Sequence, residues 1–328
     1  MGVLMILGVT GCDNVSWGGA DFAVVHPPEV NQPTEPEEVE GEAVRERLPE
    51  GPVLYYVSVT ETGPVMTPVA EISGDSMIAI RAQGDARAYA GRFIAEHMRQ
   101  GSEFALYNRG NRMGTFLIRE AHAPAANACP ALPSAQGTLE LSQGAEVLRE
   151  FLAISKPYAP EVGRRAGAPP QITRQMQVLG PILAERLLRA RRAQLPGNWQ
   201  RAMAQLIPFP VSGQSNAGYA TTFLVDDTLG TGYDNEGYSL FYVGIPNQMS
   251  FDTAYVDFTN YPTEGKAAPR VVDYLDWNRD DQPELLLQVY GINDTWFEAV
   301  GRDREGKWRR IFRQRCEQDR RAPADSAR

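Results

Sequence analysis

The sequence predicts an α+β protein with three parts: a small α+β body towards the N-terminus, a helical middle segment, and an antiparallel β-rich C-terminal domain. Three observations carry this. Residues 85–99 space their apolar side chains as a helix does, and residues 126–218 mix Pro and Ala with helical runs. Residues 219–316 hold seven short β-branched or aromatic stretches separated by turn clusters. With 43% hydrophobic and 22% charged residues among 328, the chain can bury a core, which excludes wholesale disorder. No apolar run approaches the ~20 residues a membrane-spanning helix needs, which excludes a multi-pass membrane protein.

In the body, residues 53–59 (VLYYVSV) and 77–80 read as strands. The helix at 85–99 places Tyr89, Phe93, Ile94 and Met98 at helical spacing. Residues 104–107, the turn Asn108-Arg109-Gly110-Asn111 and residues 115–118 form a hairpin. In the middle segment one helix is expected around 145–154. Another is expected at 181–195, with Pro181 in its first turn and Gly197 at its stop. This second helix carries Leu183, Leu187 and Leu188 beside Arg186, Arg189, Arg191 and Arg192. Such a helix is able to dock on anionic lipid or an acidic partner. A solvated helix face is the plainer reading and is preferred. The C-terminal strands are expected at 221–225, 240–243, 254–258, 271–275, 285–290, 296–300 and 308–312. Their close spacing points to an antiparallel meander or sandwich, not a parallel sheet.

The net charge of −9 is concentrated early: residues 13–50 hold ten acids against two bases. The remainder is nearly neutral and lacks the basic excess of a nucleic-acid-binding surface. The opening residues read MGVLMILGVTGC, an apolar stretch followed by Val9-Thr10-Gly11-Cys12. This resembles a bacterial lipobox, and the resemblance implies that Cys12 becomes the lipidated first residue of the mature chain. No Lys or Arg precedes the stretch, although a secretory leader begins with positive charge, so a start a few residues upstream is expected. Asp13 follows directly; in enteric lipoproteins an Asp there accompanies retention at the inner membrane. Residues 13–50 are acidic and Pro-rich, with Pro27-Pro28, Pro33, Pro36 and Glu37-Glu38, and they read as an extended tether. With Cys12 lipidated, Cys129 and Cys316 remain as an even pair in an exported chain. A disulfide between them is expected, with two separate buried thiols as the alternative.

The organisation expected is therefore a signal peptide at 1–11, a lipidated Cys and tether at 12–50, an α+β domain at 51–125, the helical segment at 126–218, the β-rich domain at 219–318 and a polar tail at 319–328.

Residues 276–284 (DWNRDDQPE) lead straight into Leu285-Leu286-Leu287. Oxygen-bearing side chains at the first, third and fifth places, with a carboxylate at the ninth, can wrap a hard cation such as Ca²⁺. The loop resembles the calcium loop of FG-GAP and VCBS-type β-propeller repeats, and the resemblance gives Asp276, Asn278, Asp280 and Glu284 the ligand roles. The sixth place, where Gly allows a sharp turn, is Asp281. Only one clear copy is present, so a complete propeller is not expected, and an Asx-rich turn without metal stays open. A second acidic stretch, with Asp226, Asp227, Asp234 and Glu236, lacks the spacing.

Catalytic patterns fit poorly. Gly74-Asp75-Ser76-Met77 resembles the serine motif of Ser-Lys peptidases, but the only lysines are Lys156, Lys266 and Lys307, none in the strand about 40 residues on. Gly74-Asp75-Ser76 with Gly291-Ile292-Asn293-Asp294 resembles two blocks of SGNH esterases, yet no His follows Asp294. His97 and His122 are read as structural. The expectation is a non-enzymatic, lipid-anchored envelope module with a structural Ca²⁺ site, binding a protein or glycan partner and no nucleic acid. The alternative is an envelope hydrolase working through carboxylates or Ser76.

Overall fold

The computed structural model describes residues 48–82, 85–125, 130–160, 168–232 and 236–314. Cys12, Cys129 and Cys316 lie outside these residues, and with them the expected lipidation and disulfide. The first described part comprises β1 (Val53–Thr60), β2 (Gly63–Ser73), β3 (Ser76–Ala79), α1 (Ala86–His97), β4 (Glu103–Asn108), β5 (Asn111–His122), β6 (Ser134–Leu141) and β7 (Glu150–Ser155). Six of these strands close into an antiparallel barrel in the order β1-β7-β4-β5-β6-β2, with β2 returning to β1 and β3 added outside β2.

Strand alternation builds the barrel wall. Tyr55, Val57, Phe104, Leu106, Phe116, Ile118, Phe151 and Ala153 face inward. Their neighbours Leu54, Ala105, Tyr107, Leu152 and Ile154 face outward. A barrel this narrow is filled by side chains. Gly137 of β6 shows how tightly: a Cβ there would lie 2.2 Å from the Leu117 carbonyl oxygen and 2.6 Å from Phe116. Helix α1 adds Tyr89 and Phe93 to the interior. Asp85 starts the helix, its carboxylate accepting the Arg87 N–H at 2.9 Å.

The second part contains α2 (Arg174–Ala190), α3 (Trp199–Ala202), β8 (Met203–Phe209), β9 (Gly218–Val225), β10 (Tyr238–Pro246), β11 (Phe251–Asn260), α4 (Tyr261–Glu264), β12 (Ala268–Leu275), β13 (Glu284–Tyr290), β14 (Thr295–Arg302) and β15 (Trp308–Arg313). Two four-stranded antiparallel sheets result, β11-β10-β9-β8 and β12-β13-β14-β15. They pack face to face through Phe241 and Val243 against Leu285, Leu287 and Val300. Helix α2 covers the far side of the first sheet, with Met176, Leu183, Ala184 and Leu188 on Tyr219, Phe223, Leu240 and Tyr242. The Tyr242 hydroxyl donates to the Gly180 carbonyl at 2.7 Å and so fixes the helix to β10. The far side of the second sheet packs on the outside of the barrel, Leu275, Trp277, Leu286, Ala299 and Phe312 meeting Leu54, Tyr107 and Leu152. The layers are helix, sheet, sheet and barrel wall.

The expected α+β class is corrected by this architecture. Fifteen strands and four α-helices are present among the described residues, and three of the helices span 12 residues or fewer. The body is a β-barrel with one helix, and the middle segment is not helical throughout. The helix expected at 145–154 is replaced by β7, which lies between β1 and β4 at the heart of the barrel. Phe151-Leu152-Ala153-Ile154 is buried on both faces, and such a continuous apolar run has no period to distinguish helix from strand. Strands β2, β6 and β8 were not expected. β2 carries Pro64 and Pro68, and its register against β1 shifts between Leu54 and Tyr55, beside Pro68, where a residue without an N–H is tolerated. Helix α2 begins seven residues before Pro181, which therefore sits inside it. The seven expected C-terminal strands coincide with β9–β15.

Polar side chains stitch the layers together. Gln205 acts as an extra peptide group between sheets, its amide donating to the Val271 carbonyl at 2.9 Å and accepting the Val271 N–H at 2.7 Å. Barrel and second sheet are joined by Arg270 on β12 and Glu150 on β7, paired through two hydrogen bonds of 2.7 Å each. Tyr56 also donates to Glu150, and Arg270 reaches Gln288 at 2.7 Å. Burial pushes the Glu150 carboxyl pKa up, but the hydrogen bonds from Arg270 and Tyr56 outweigh this and hold it below the usual range.

Removing one partner of a buried ion pair leaves the other charge without compensation. Glu150→Ala should therefore lower stability in urea unfolding by about 2 kcal/mol, less than a fully buried pair because both groups keep some solvent contact. A loss no larger than that of an ordinary surface substitution would contradict the role given to the pair.

Candidate functional site

The acidic loop at 276–284 joins β12 to β13 and is folded by its own oxygens. Asp276 accepts the Asp280 N–H and the Asp281 N–H, both at 3.0 Å, one on each carboxylate oxygen. Asn278 accepts the Asp280 N–H at 3.1 Å, and Asp280 accepts the Gln282 N–H at 2.8 Å. Glu284 accepts the Trp277 N–H at 3.2 Å across the loop. Arg279 and Asp281 adopt positive φ of 66° and 65°. Asp281 thus takes the left-handed conformation that most often falls to glycine. Asp is among the few residues that reach it at small cost.

Two side chains anchor the loop to the barrel. Trp277 is buried among the apolar residues of the barrel face. Arg279 turns away from the carboxylates and donates to the carbonyls of Tyr158 and Ala159 at 3.0 and 3.2 Å. Glu284 lies beneath the loop, 2% exposed. Its space depends on Gly301 of β14, where a Cβ would come within 2.9 Å of Glu284 Cγ.

Burial, then the neighbouring Asp280 and Asp276 charges, push the Glu284 carboxyl up to about 9, although the Trp277 N–H works the other way. Burial also raises Asp276, against the pull of the Asp280 and Asp281 N–H groups. The structure therefore brings Asp276, Asp280 and Glu284 within electrostatic reach and sets Asn278 in the same turn. Their chemistry, hard oxygen donors in a tight hairpin with a left-handed sixth residue, fits Ca²⁺. Among the described residues, however, no group of three or more His, Cys, Asp or Glu is arranged to hold a metal ion.

The other candidates stay apart. Ser76 ends the turn between β2 and β3, and its hydroxyl donates to the Ser73 carbonyl at 2.9 Å. His97 packs on Phe93 at the end of α1, where burial lowers its pKa. His122 lies at the end of β5, 3.7 Å from Glu120. In the second acidic stretch Asp227 is taken up by Lys266 at 2.5 Å and the Tyr261 hydroxyl at 2.8 Å, which makes it a buried ion pair. Asp234 lies outside the described residues.

Asp273, three residues before the loop, escaped sequence reasoning because it sits inside a strand pattern. One of its oxygens accepts the Arg109 N–H and the Tyr274 N–H, each at 2.7 Å, which ties the β4–β5 turn of the barrel to β12. Burial pushes its carboxyl up to about 7, against the two N–H groups. The one available signal was an acid in the run Val271-Val272-Asp273-Tyr274-Leu275, at odds with apolar neighbours on both sides.

No known protein family, curated protein or solved structure matches the chain. The class its fold and loop define is an antiparallel barrel-and-sandwich with an acidic hairpin loop at the joint.

Asp273 and Glu284 give a pH dependence of definite sign. In the absence of metal, the folded chain keeps protons on Asp273 and Glu284 that the unfolded chain releases. Their contribution is complete below the ordinary carboxylate range and is lost as pH rises, through about 7 for Asp273 and about 9 for Glu284. In urea unfolding with chelator at about pH 4.5, 7.5 and 9.5, Asp273→Asn should remove the lower part of this decline and Glu284→Gln the upper. Unchanged slopes in both variants would refute the assignment.

Proposed function

We propose that this chain is a non-enzymatic module of the cell envelope, anchored through lipidated Cys12, that binds or supports a protein or glycan partner and holds a structural Ca²⁺ at 276–284. The observation that carries the calcium reading is Glu284. Its buried carboxyl shares one hairpin with Asp276 and Asp280, while the basic side chain of that hairpin, Arg279, is spent on the barrel. A divalent cation would relieve this concentration of negative charge, with Asp276, Asn278, Asp280 and Glu284 as side-chain donors. Because Trp277 and Arg279 connect the hairpin to the barrel, such a cation would stiffen the joint between barrel and sandwich. The anchor reading rests on Val9-Thr10-Gly11-Cys12 and on the acidic, Pro-rich residues that follow.

Ligand binding to the native state raises stability by mass action, by about 2.7 kcal/mol when free ligand exceeds Kd a hundredfold. Adding millimolar Ca²⁺ after EDTA should therefore raise the melting temperature by several degrees. Asp276→Ala should abolish the rise, and Asp281→Gly should preserve or enlarge it by removing a left-handed non-glycine residue. An identical midpoint in EDTA and Ca²⁺ would reduce the loop to an acidic turn.

The anchor is tested separately in a bacterial host fed radiolabelled palmitate. Label should enter the wild-type chain and be absent from Cys12→Ser; equal labelling of the two would remove the lipidation reading.

A further inference from the structure

Helix α2 presents a line of side chains that its packing leaves free. Arg174, Val178, Ile182 and Arg186 follow one another at intervals of four residues and so form a single ridge along the helix, ~18 Å from end to end. All four are exposed, Val178 at 52% and Ile182 at 49%. Arg189, a further exposed arginine, lies seven residues beyond Ile182 on the same side and pairs with Glu185 at 2.6 Å. The opposite side of the helix is the one packed on the first sheet.

The ridge continues onto neighbouring segments. Ile172, 48% exposed, precedes the helix, and Met249, 88% exposed, stands in the connection between β10 and β11. Gln175 joins the two segments by donating to the Met249 carbonyl at 3.2 Å. Four of the seven large apolar side chains exposed among the described residues thus fall on or beside one helix. That helix and its C-cap, residues 174–191, carry four arginines and one acid, within a protein whose net charge is −9.

We infer that this face is a docking surface for an anionic phospholipid membrane. Charge complementarity selects that occupant: the arginines bracket an apolar pair on one line. In this geometry Val178, Ile182 and Met249 enter the headgroup–acyl boundary, while Arg174 and Arg186 extend their stems along it and reach lipid phosphates. No helix among the described residues is long and apolar enough to cross a bilayer, so contact would lie in the interface plane. The surface works with or without a lipid at Cys12 and is independent of the loop at 276–284.

The test uses the full-length chain carrying Cys12→Ser, in EDTA, so that neither the lipid nor the calcium reading affects the result. It is sedimented with vesicles of phosphatidylcholine alone and with about one-third phosphatidylglycerol. Each arginine near an anionic surface contributes about fivefold to partitioning. The chain should pellet with the anionic vesicles only and be released by raised salt. Arg174→Glu with Arg186→Glu should weaken binding at least ~25-fold. Val178→Ser with Ile182→Ser should weaken it several-fold. All four positions are exposed, so unchanged circular dichroism and melting temperature would show that the variants fold. Equal pelleting with neutral vesicles, or wild-type binding by both double variants, would overturn the inference. Retention on immobilised polyglutamate without vesicle binding would also overturn it, in favour of an acidic protein partner.

Discussion

Leu286 meets the outside of the barrel, while Leu285 and Leu287, one residue to either side, meet the opposing sheet. That alternation makes the β12–β15 sheet a wall shared by two cores. Most sheets in antiparallel proteins keep one face for water, and their strands alternate apolar with polar. β13 cannot, and its run of three leucines is the direct consequence. Every other layer is positioned by this wall: the barrel on one side, the β8–β11 sheet on the other, and α2 one layer further out. Because two apolar faces alone would leave sliding and rotation weakly opposed, the directional contacts are concentrated along the wall. Arg270 with Glu150 and Asp273 with the Arg109 N–H hold the barrel side. Gln205 with the Val271 backbone holds the sheet side. All three contacts involve residues 270–273 on β12.

What could be read in advance follows from the kind of signal each segment carries. Strands β9–β15 are short, rich in β-branched and aromatic residues and bounded by Gly, Asn and Asp turns, so local sequence suffices. Helix α1 has both an apolar stripe and a capping Asp85. The barrel was obscured by three strands with different defects. β7 is apolar throughout, β2 contains two prolines, and β6 reads SAQGTLEL, small and polar because Gly137 must let Phe116 pass. Barrel closure itself is a non-local fact, since β1 pairs with β7 nearly a hundred residues later. The acidic loop was legible as a pattern of oxygens. Its attachment was not, because only the fold shows that Arg279 leaves the carboxylates for the Tyr158 and Ala159 carbonyls. In α2 the arginines were visible in sequence, but the exposure of Val178 and Ile182 beside them depends on which side of the helix the sheet occupies.

The distribution of charge follows from the same wall. Acidic side chains that the fold must accommodate near it are each handled differently: Glu150 by a guanidinium, Asp273 by two backbone N–H groups, Asp227 by a buried lysine. Glu284 accepts the Trp277 N–H but has two acidic neighbours, Asp276 and Asp280, and its carboxyl stays raised. This contrast, more than the spacing of the loop, sets 276–284 apart from the other buried acids.

The pairing of β1 has a mechanical consequence. β1 is the first strand of the barrel and is hydrogen-bonded on both sides, to β2 and to β7. A force applied to the chain just before Val53 acts along the strand axis, at right angles to the hydrogen bonds of an antiparallel ladder. The bonds on both sides must then shear together instead of opening one by one from an end. A body held by its N-terminal segment, against flow or a moving partner, would carry load on a strand that is hydrogen-bonded along both edges.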